Sequence, residues 1–490
     1  MTNTSNSLSN LNNHFIETYR AFSGCNIQVI KWIKKIIYVA VLAAVIIAAA
    51  AAAVFLLNNS DNGPKGDYSS FDVNTTKNLV FGNANNDNYL NQADVDMIQD
   101  IVNGKLAWDK VKFPLVDANT DGVVDSKDVA LVKKFLNGES AKMYYMNWYK
   151  DVASVNYPVS GKVSVDYTTA YDMLVILGCL DDLVGTRDTP ATIEKYNDKV
   201  YPGVKNRIQS IRTDAGKMDP EKMYSLGTKL VIGDPYDATP EVADAMHKMD
   251  PTCNVLELPV NRVVNGIYYS HTIVSLGVMM NRQSNTAEYV KYIENVESEI
   301  NKKVAESKSA NKTVLICYNP SGPNSINLDI LATGASQYTD VTNVLKLPLT
   351  IPLPRMERDN GGYMSGQEIA KIMEIDPDVI VLDTYNLAAQ NLPNDEYDRI
   401  IKEKVEYFKE TRAYRNNMII TCAYEVIGGA AGISTLPLMG HYIWGDGLFT
   451  EKQGWDYVNE YYQKFTNFGK TVDMRNNRGY GPEQFGATMG

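Results

Sequence analysis

The sequence predicts an α/β protein of two similar lobes joined by a long helix, preceded by a small all-α module and an N-terminal transmembrane helix. Three observations predict this order. An uncharged apolar stretch covers residues 36–57, a duplicated loop-and-helix unit covers 80–140, and from about residue 146 short β-branched runs alternate with amphipathic helices. A length of 490 residues, 44% of them apolar and 21% charged, suits a chain of several globular domains.

The composition argues against several functions. There are 47 basic and 58 acidic residues, and a net charge of -11 argues against a nucleic-acid partner, because phosphate binding requires a cationic surface. The 4 histidines are scattered, so a histidine-rich metal site is not expected. Of the 5 cysteines, one precedes the predicted membrane segment and the others occur singly in apolar runs, which predicts buried free thiols, with disulfides as the alternative. The chain contains no nucleophile elbow, no HExxH and no phosphate-binding glycine loop, so we predict no enzymatic activity.

Residues 36–57, IIYVAVLAAVIIAAAAAAVFLL, predict a single membrane-spanning helix. The stretch has the ~20 apolar residues that a helix needs to cross a hydrocarbon core of about 30 Å. Lysines crowd only its amino-terminal side, so the positive-inside rule places residues 1–35 in the cytoplasm and the later residues outside the plasma membrane. Cleavage within the alanine tract is the alternative. The polar residues 58–79 predict a flexible tether.

Two loops carry side-chain oxygens at the spacing that calcium requires. The second loop, DANTDGVVDSKD at 117–128, has Asp or Asn at positions one, three, five, nine and twelve, and Gly122 at position six. The first loop, NANNDNYLNQAD at 83–94, repeats these oxygens with fewer carboxylates, so we expect it to bind calcium more weakly. The predicted calcium ligands are Asn83, Asn85, Asp87, Asn91, Asp94, Asp117, Asn119, Asp121, Val123, Asp125 and Asp128.

Each loop leads into a short helix that ends at an Asn-Gly pair, and this duplication with Asp at position twelve resembles a type I dockerin over residues 80–140. The resemblance implies an EF-hand-like calcium module whose tenth and eleventh loop positions contact a cohesin-bearing partner. Those positions are Gln92 and Ala93 in one loop and Ser126 and Lys127 in the other, and the two pairs do not match. A calcium-stiffened spacer without a partner is the alternative.

The body divides into a first lobe at 146–285, a linking helix at 286–307 and a second lobe at 308–490. The linking helix is predicted by apolar residues that recur at helical spacing from Val290 to Val304, with charged residues on its other faces. The predicted strands are KVSVDY, KLVIGD, NVLELPV, TVLICY, DVIVLDT and NMIITCAY. Helices alternating with such strands are typical of parallel sheets.

The two lobes repeat one phrase, because residues 219–236 and 365–385 each combine a helix, a buried strand and Asp-x-Tyr. Together with YDMLVILGCLDDLVGTRD near the start, this layout resembles the class III substrate-binding proteins of ABC importers, which serve ferric siderophores, haem and cobalamin. The resemblance implies two Rossmann-like lobes flanking a rigid linking helix, a ligand in the cleft between them, an iron or cobalt chelate as that ligand, and an ABC permease as partner.

In open α/β sheets the ligand binds beyond the carboxyl ends of the strands, so the loops there are the candidate site. The chain has 31 Tyr against 12 Phe, so it favours aromatic rings that both stack and donate hydrogen bonds. Arginines are suited to bind an anionic chelate. For each residue, ordinary packing or surface charge is the alternative. The predicted ligand-binding residues are Tyr167, Tyr171, Arg187, Tyr236, Tyr318, Arg355, Arg358, Tyr385 and Tyr424.

The resemblance further implies that one glutamate at a helix start in each lobe docks on the permease, here Glu221 and Glu368. Glu368 stands two residues early, which on a helix turns it by roughly 200°. The predicted function is a membrane-anchored extracytoplasmic binding protein that captures a metal chelate for an ABC importer. The alternative is a cell-surface assembly protein that recruits cohesin-bearing partners without transport.

Overall fold

The computed structural model divides the chain into two units, Met1–Pro64 and Lys65–Gly490, and all residues that it describes belong to the second. The described residues are 68–166, 169–190, 193, 201, 203–234, 240–260, 265–267, 269–307, 312–318, 329–331, 349–350, 363–364, 369–383, 394–422, 430–445, 447–467 and 469–471. The predicted cytoplasmic segment, the predicted transmembrane helix at 36–57 and the tether up to residue 67 lie outside this set. In the described part of the chain, no helix combines the length and the apolarity that a membrane span requires.

Residues 68–157, which we call the amino-terminal module, contain two helices and a hairpin. Helices α1 (Gln92–Val102) and α2 (Ser126–Leu136) each begin at a capping box, formed by Asn91 with Asp94 and by Asp125 with Asp128. In both loops the capping residues stand at positions nine and twelve. Strands β1 (Ala141–Met146) and β2 (Val152–Tyr157) then pair in antiparallel fashion.

The first lobe is built on a five-stranded parallel sheet of order β5-β4-β3-β6-β7. Its elements are β3 (Lys162–Val165), α3 (Thr169–Ile176), β4 (Leu183–Thr186), β5 (Gln209–Ser210), α4 (Pro220–Ser225), β6 (Thr228–Ile232), α5 (Pro240–Met249), β7 (Asn254–Leu256) and α6 (Tyr269–Met279). The chain starts at the central strand β3, builds outward to β5, and then returns to the other side of β3 with β6. The strand order therefore reverses beside β3, where ligands bind in doubly wound sheets.

The linking helix is α7 (Gln283–Glu306), close to the predicted bounds. Val290, Ile293, Val296 and Ile300 are buried along one stripe, as their helical spacing predicts. The same stripe also buries two tyrosines, Tyr289 and Tyr292, so the apolar face is wider than the aliphatic residues alone indicate.

The second lobe carries a six-stranded sheet of order β11-β9-β8-β12-β13, with β10 also paired to β8. Its elements are β8 (Lys312–Tyr318), β9 (Asp329–Leu331), β10 (Leu349–Thr350), β11 (Tyr363–Met364), α8 (Ile369–Ile375), β12 (Val379–Asp383), α9 (Asn394–Glu406), α10 (Arg412–Arg415), β13 (Ile419–Cys422), α11 (Gly432–Trp444) and α12 (Glu451–Phe465). Strands β8, β10, β12 and β13 are mutually parallel, β9 pairs antiparallel with β8, and β11 pairs antiparallel with β9.

The predicted internal repeat is confirmed by matching elements in the two lobes. A short helix leads into the strand beside the first strand of each sheet, α4 into β6 and α8 into β12. Between helix and strand, Gly227 and Asp376 both adopt positive φ angles, of 77° and 44°. Four residues earlier, Met223 and Ile372 are both completely buried, so the repeat extends to side-chain packing.

The last part of the predicted tether, residues 68–79, is packed against the body, which corrects its assignment as flexible. Phe71 and Val73 are 3% exposed and Leu79 is fully buried. The imidazole of His271 donates from Nε2 to Val73 O at 2.9 Å, and Leu79 N donates to Ser275 Oγ at 3.0 Å. The segment is polar in composition, but three apolar side chains and backbone hydrogen bonds to α6 hold it in place.

The amino-terminal module also contacts the linking helix directly. The Gln283 side chain accepts from Leu90 N at 2.8 Å and donates to Leu90 O at 3.0 Å. Asn88 donates to Glu294 Oε1 at 2.7 Å. One hydrophobic cluster runs through the module, the first lobe, α7, α11 and α12, so the module is part of the body. Among the described cysteines, Cys179, Cys253 and Cys317 are free and buried, as predicted.

Candidate functional site

Three charged side chains gather at the carboxyl ends of the central strands of the first lobe. Asp166 directly follows β3, Arg187 directly follows β4, and Asp234 lies two residues beyond β6. Arg187 N donates to Val165 O and Asp166 N donates to Ile232 O, both at 3.0 Å, so these residues stand side by side at the sheet edge. Asp166 and Asp234 are fully buried and Arg187 is 6% exposed. The site lies where the strand order reverses.

The two aspartates connect the loops that leave neighbouring strands. Asp166 Oδ2 accepts from Asp234 N at 2.8 Å, and Asp234 Oδ1 accepts from Val260 N at 3.0 Å. Each carboxylate therefore holds the loop that follows the next strand in the sheet. The sequence prediction omitted Asp166, although an aspartate immediately after the β-branched run KVSV is the pattern that would have indicated it.

Arg187, a predicted ligand residue, is held by main chain in the described structure. Its Nη1 donates to Gly216 O at 2.9 Å, in the loop that follows β5. The neighbouring Asp188 accepts from Thr186 Oγ1 at 2.8 Å. Desolvation raises the pKa of Asp188 to about 6, while the Thr186 hydroxyl, Arg187 and Arg212 lower it by less. This edge of the sheet therefore concentrates charge in a dry environment, where electrostatic contacts are strong.

Tyr171 was predicted to contact the ligand, and the structure instead places it in the core. Its side chain is completely buried and packs edge-on against Tyr201, with ring centroids 5.2 Å apart. The side chain lies on the inward face of α3 among apolar residues, because this helix packs against α7 and α12. The neighbouring Asp172 accepts hydrogen bonds from Tyr201 Oη and Tyr461 Oη.

In the second lobe, the corresponding strand ends also lie side by side. Tyr318 at the end of β8 is the register partner of Asp383 at the end of β12. The structure describes only the backbone of these two residues. The predicted site residues Tyr167, Tyr236, Arg355, Arg358, Glu368, Tyr385 and Tyr424 lie outside the described residues. Glu221 is exposed in the first turn of α4, as a docking residue must be.

The two calcium-type loops share one hydrogen-bond pattern. In the first loop, Asp87 N donates to Asn85 Oδ1 at 2.9 Å and Asn91 N to Asp94 Oδ2 at 2.8 Å. In the second loop, the equivalent distances are also 2.9 Å, from Asp121 N to Asn119 Oδ1, and 2.8 Å, from Asp125 N to Asp128 Oδ2. Equivalent side chains therefore turn inward in both loops.

Position one distinguishes the loops. In the second loop, Asp117 Oδ2 accepts from Gly122 N at 2.7 Å, while Oδ1 is buried without a hydrogen-bond partner. Burial, together with the charges of Asp128 and Asp121, raises the pKa of Asp117 to about 6, although the hydrogen bond from Gly122 N lowers it. The described residues contain no group of three or more His, Cys, Asp or Glu side chains already arranged around a metal position. The all-oxygen donor set and the open Asp117 oxygen nevertheless fit a hard cation such as calcium.

A groove with a cavity volume of about 220 Å³ lies away from the strand ends, between α7 and α12. It is lined by Glu299, Phe449, Gln453, Asp456, Tyr457 and Glu460. Its acidic lining does not suit an anionic chelate, so we do not assign the predicted ligand to it.

No family model and no curated protein matches the chain. Solved structures with similar chains include two from Veillonella parvula. A periplasmic solute binding protein is 14% identical with a TM-score of 0.49, covering 67% of this chain and 94% of that one. The TroA-like periplasmic binding protein FepB is 12% identical with a TM-score of 0.49, covering 66% and 97%. Helicobacter pylori CeuE, in a complex with nickel and histidine, is 12% identical with a TM-score of 0.47, covering 67% and 97%. At these identities and TM-scores, the similarity assigns neither a family nor a ligand.

Proposed function

We propose that this chain is an extracytoplasmic substrate-binding protein that captures a metal chelate, of the ferric siderophore, haem or cobalamin type, for an ABC importer. The observation that carries the proposal is the architecture: two lobes whose sheets have parallel central strands and matching local topology, joined by a single helix of 24 residues. In such sheets the carboxyl ends of the strands hold the ligand, and in the first lobe these ends carry buried charged residues.

The proposed ligand contacts are Arg187, Tyr318 at the end of β8, and six residues that follow strands in the sequence, Tyr167, Tyr236, Arg355, Arg358, Tyr385 and Tyr424. Arginines there would hold the anionic groups of the chelate, while tyrosines would stack on its organic part. A net charge of -11 repels an anionic ligand at long range. Local arginines must therefore overcome this field within a Debye length of about 8 Å.

Titrating the purified full chain with haem, cobalamin and a ferric siderophore tests this proposal. We expect saturable binding of one of these three ligands, measured by changes in absorbance and in tryptophan fluorescence. Arg355→Ala or Arg358→Ala should weaken that binding about ten- to a hundred-fold, because a desolvated charged hydrogen bond is lost. Arg399→Ala, on the exposed face of α9, is the matched control and should bind normally. Absence of binding to all three ligands would overturn the proposal.

For permease docking we propose Glu221 in the first lobe. In the repeat defined by Gly227 and Asp376, the residue equivalent to Glu221 is Ala370, and Glu368 corresponds to the N-cap residue Asp219. Glu368 is therefore proposed only as a shifted counterpart. Glu221→Ala should reduce chelate uptake by cells without changing chelate affinity of the purified chain.

We further propose that residues 36–57 anchor the protein in the plasma membrane, with residues 1–35 inside and the body outside, and that the amino-terminal module binds calcium. The basis is the uncharged stretch with its lysine flank and the oxygen pattern of the two loops. Protease treatment of intact cells should degrade the body and leave the segment before the helix protected.

A second candidate function is cell-surface assembly through a cohesin-bearing partner, without transport. Gln92, Ala93, Ser126 and Lys127 favour it, because all four remain exposed although the module is docked on the body. Co-elution with a recombinant type I cohesin in the presence of calcium would support this function. Chelate uptake that persists without any cohesin would favour import.

A further inference from the structure

We propose that the two loops differ in function: the second loop (117–128) binds one divalent cation, which displaces the Lys127 ammonium, and the first loop (83–94) keeps its shape without a cation. This inference rests on the proposed calcium role of the module and specifies its stoichiometry. It predicts one cation per chain, where a duplicated motif would suggest two.

The second loop contains a buried carboxylate oxygen that requires a partner. Asp117 is 4% exposed, and its Oδ1 atom has no hydrogen bond. The other oxygen of this carboxylate accepts from Gly122 N of the same loop, so the group faces the loop interior. Leaving such an oxygen buried and unpaired is unfavourable, and a divalent cation inside the loop would satisfy it.

Lys127, at position eleven, partly neutralises the same loop. Its Nζ atom lies 3.3 Å from Asp125 Oδ2 and 3.6 Å from Asp121 Oδ2, which are predicted cation ligands. The lysine side chain is 69% exposed, so these ion pairs are weak and the ammonium can swing into solvent. The first loop has Ala93 at this position and contains no equivalent competitor.

The first loop has a neutral amide at position one. At position one, Asn83 Nδ2 donates to Asn78 O and to Asp87 O, both at 2.8 Å, where the second loop has a carboxylate that accepts from a backbone N–H. Asn83 Oδ1 is also buried without a hydrogen-bond partner, but a neutral amide oxygen requires no counter-charge.

The carboxylates and the docking contacts of the first loop support the same assignment. Both Asp87 oxygens and both Asp94 oxygens accept hydrogen bonds within the loop, as do both oxygens of Asp121 and of Asp128 in the second loop, so the loops differ in the number of carboxylates and not in these contacts. With two carboxylates against four, the first loop offers much less charge to a cation. Asn88 fills position six, and its side chain connects Lys77 N to Glu294.

Native mass spectrometry and calorimetric titration of the full chain with Ca²⁺ count the cations and measure their affinity. We expect one Ca²⁺ in the wild type and none in Asp117→Asn, which gives the second loop the position-one residue of the first. Asn83→Ala should keep one. Lys127→Ala should bind Ca²⁺ about two- to fivefold more tightly, because exposed ion pairs are worth up to about 1 kcal/mol. Lys133→Ala, an exposed lysine on the same helix, is the control and should match the wild type.

Each other outcome contradicts a defined part of the proposal. Two cations in the wild type, or loss of the cation in Asn83→Ala, would overturn the difference between the loops and leave the calcium role intact. Absence of any cation would overturn both. An unchanged affinity in Lys127→Ala would remove the competitor. Binding of the metal-chelate ligand, measured on the same samples, tests the import function independently. Thermal unfolding in the presence of a calcium chelator shows whether the Asp117→Asn variant is folded.

Discussion

Asp172 lies where α3 of the first lobe meets α12 of the second. Its carboxylate accepts from Tyr201 Oη and, at 3.4 Å, from Tyr461 Oη. Burial raises its pKa from 3.8 to about 6, and the two hydroxyls lower it by less. The folded state therefore binds the proton more tightly than the unfolded state does, and the free energy of unfolding contributed by this group falls as pH rises between those two values.

Asp172→Asn removes this titration. At a pH above the pKa of Asp172 in the folded state, we expect the substitution to raise the melting temperature. At a pH near 3.8, the unperturbed value, we expect it to change the melting temperature little. Because Asp172 remains partly exposed, the gain should stay below the about 3 kcal/mol that two pKa units represent. Thermal unfolding by circular dichroism at both pH values measures it. Asp96→Asn, exposed on α1, is the control. A greater loss of stability at the higher pH would contradict the interpretation.

Two glycines allow neighbouring helices to approach closely. A Cβ atom on Gly277 of α6 would lie 2.6 Å from Thr286 Oγ1 of α7, and one on Gly454 of α12 would lie 2.6 Å from Leu438 Cα of α11. The same substitution at Gly447 meets nothing within 4 Å. These contacts seat α7 against the first lobe and pack the two carboxyl-terminal helices on each other.

Gly277→Ala and Gly454→Ala should each lower the free energy of unfolding by about 1–3 kcal/mol, because overpacked helices must move apart. Urea unfolding followed by fluorescence measures the change. Gly447→Ala should be within about 0.5 kcal/mol of the wild type. Equal stability of all three variants would show that these helix contacts tolerate a methyl group.

Gln283 connects the module to the linking helix through both polar backbone groups of Leu90. Gln283→Ala leaves those groups without their partner, which should cost about 1–3 kcal/mol. The amino-terminal module and the two lobes share one hydrophobic cluster, so calorimetry should show a single unfolding transition for both together. Gln283→Ala, or the removal of calcium, should shift the temperature of that whole transition. Gln99→Ala, whose amide contacts only Asn103 within α1, is the control. A separate early transition in chelator would indicate an independent module.

The two lobes should move little relative to each other when a ligand binds. The stripe of α7 is buried in the cluster that contains residues of both lobes, and Tyr292 Oη donates to Tyr457 O at 2.9 Å. Small-angle scattering curves with and without the bound chelate should therefore nearly superimpose. A marked compaction on binding would contradict a rigid linking helix.

Local pattern was sufficient to predict much of this protein. β-Branched runs located the strands β3, β6, β7, β8, β12 and β13, and helical spacing located α7, because burial of one face imposes a period on the sequence itself. The loop repeat was visible in the sequence for the same reason, since its oxygen-bearing side chains lie within a few residues of each other, whereas the capping boxes were seen only in the structure.

Contacts between distant parts of the chain were decided only by the tertiary structure. Leu79 N donates a hydrogen bond to Ser275 Oγ, 196 residues later in the sequence. Because of such contacts, the polar stretch that was predicted to be a flexible tether is packed against the body. Tyr171 entered the core because α3 packs on α7 and α12, which no periodicity of α3 alone indicates. Asp166 accepts a hydrogen bond from Asp234 N because β6 pairs beside β3, which brings the ends of the two strands together. The burial of Tyr171, the packing of residues 68–79 and the role of Asp166 all depend on which surfaces of the protein contact each other. Local sequence patterns predict the surface of each element, but they do not predict which surfaces pack together.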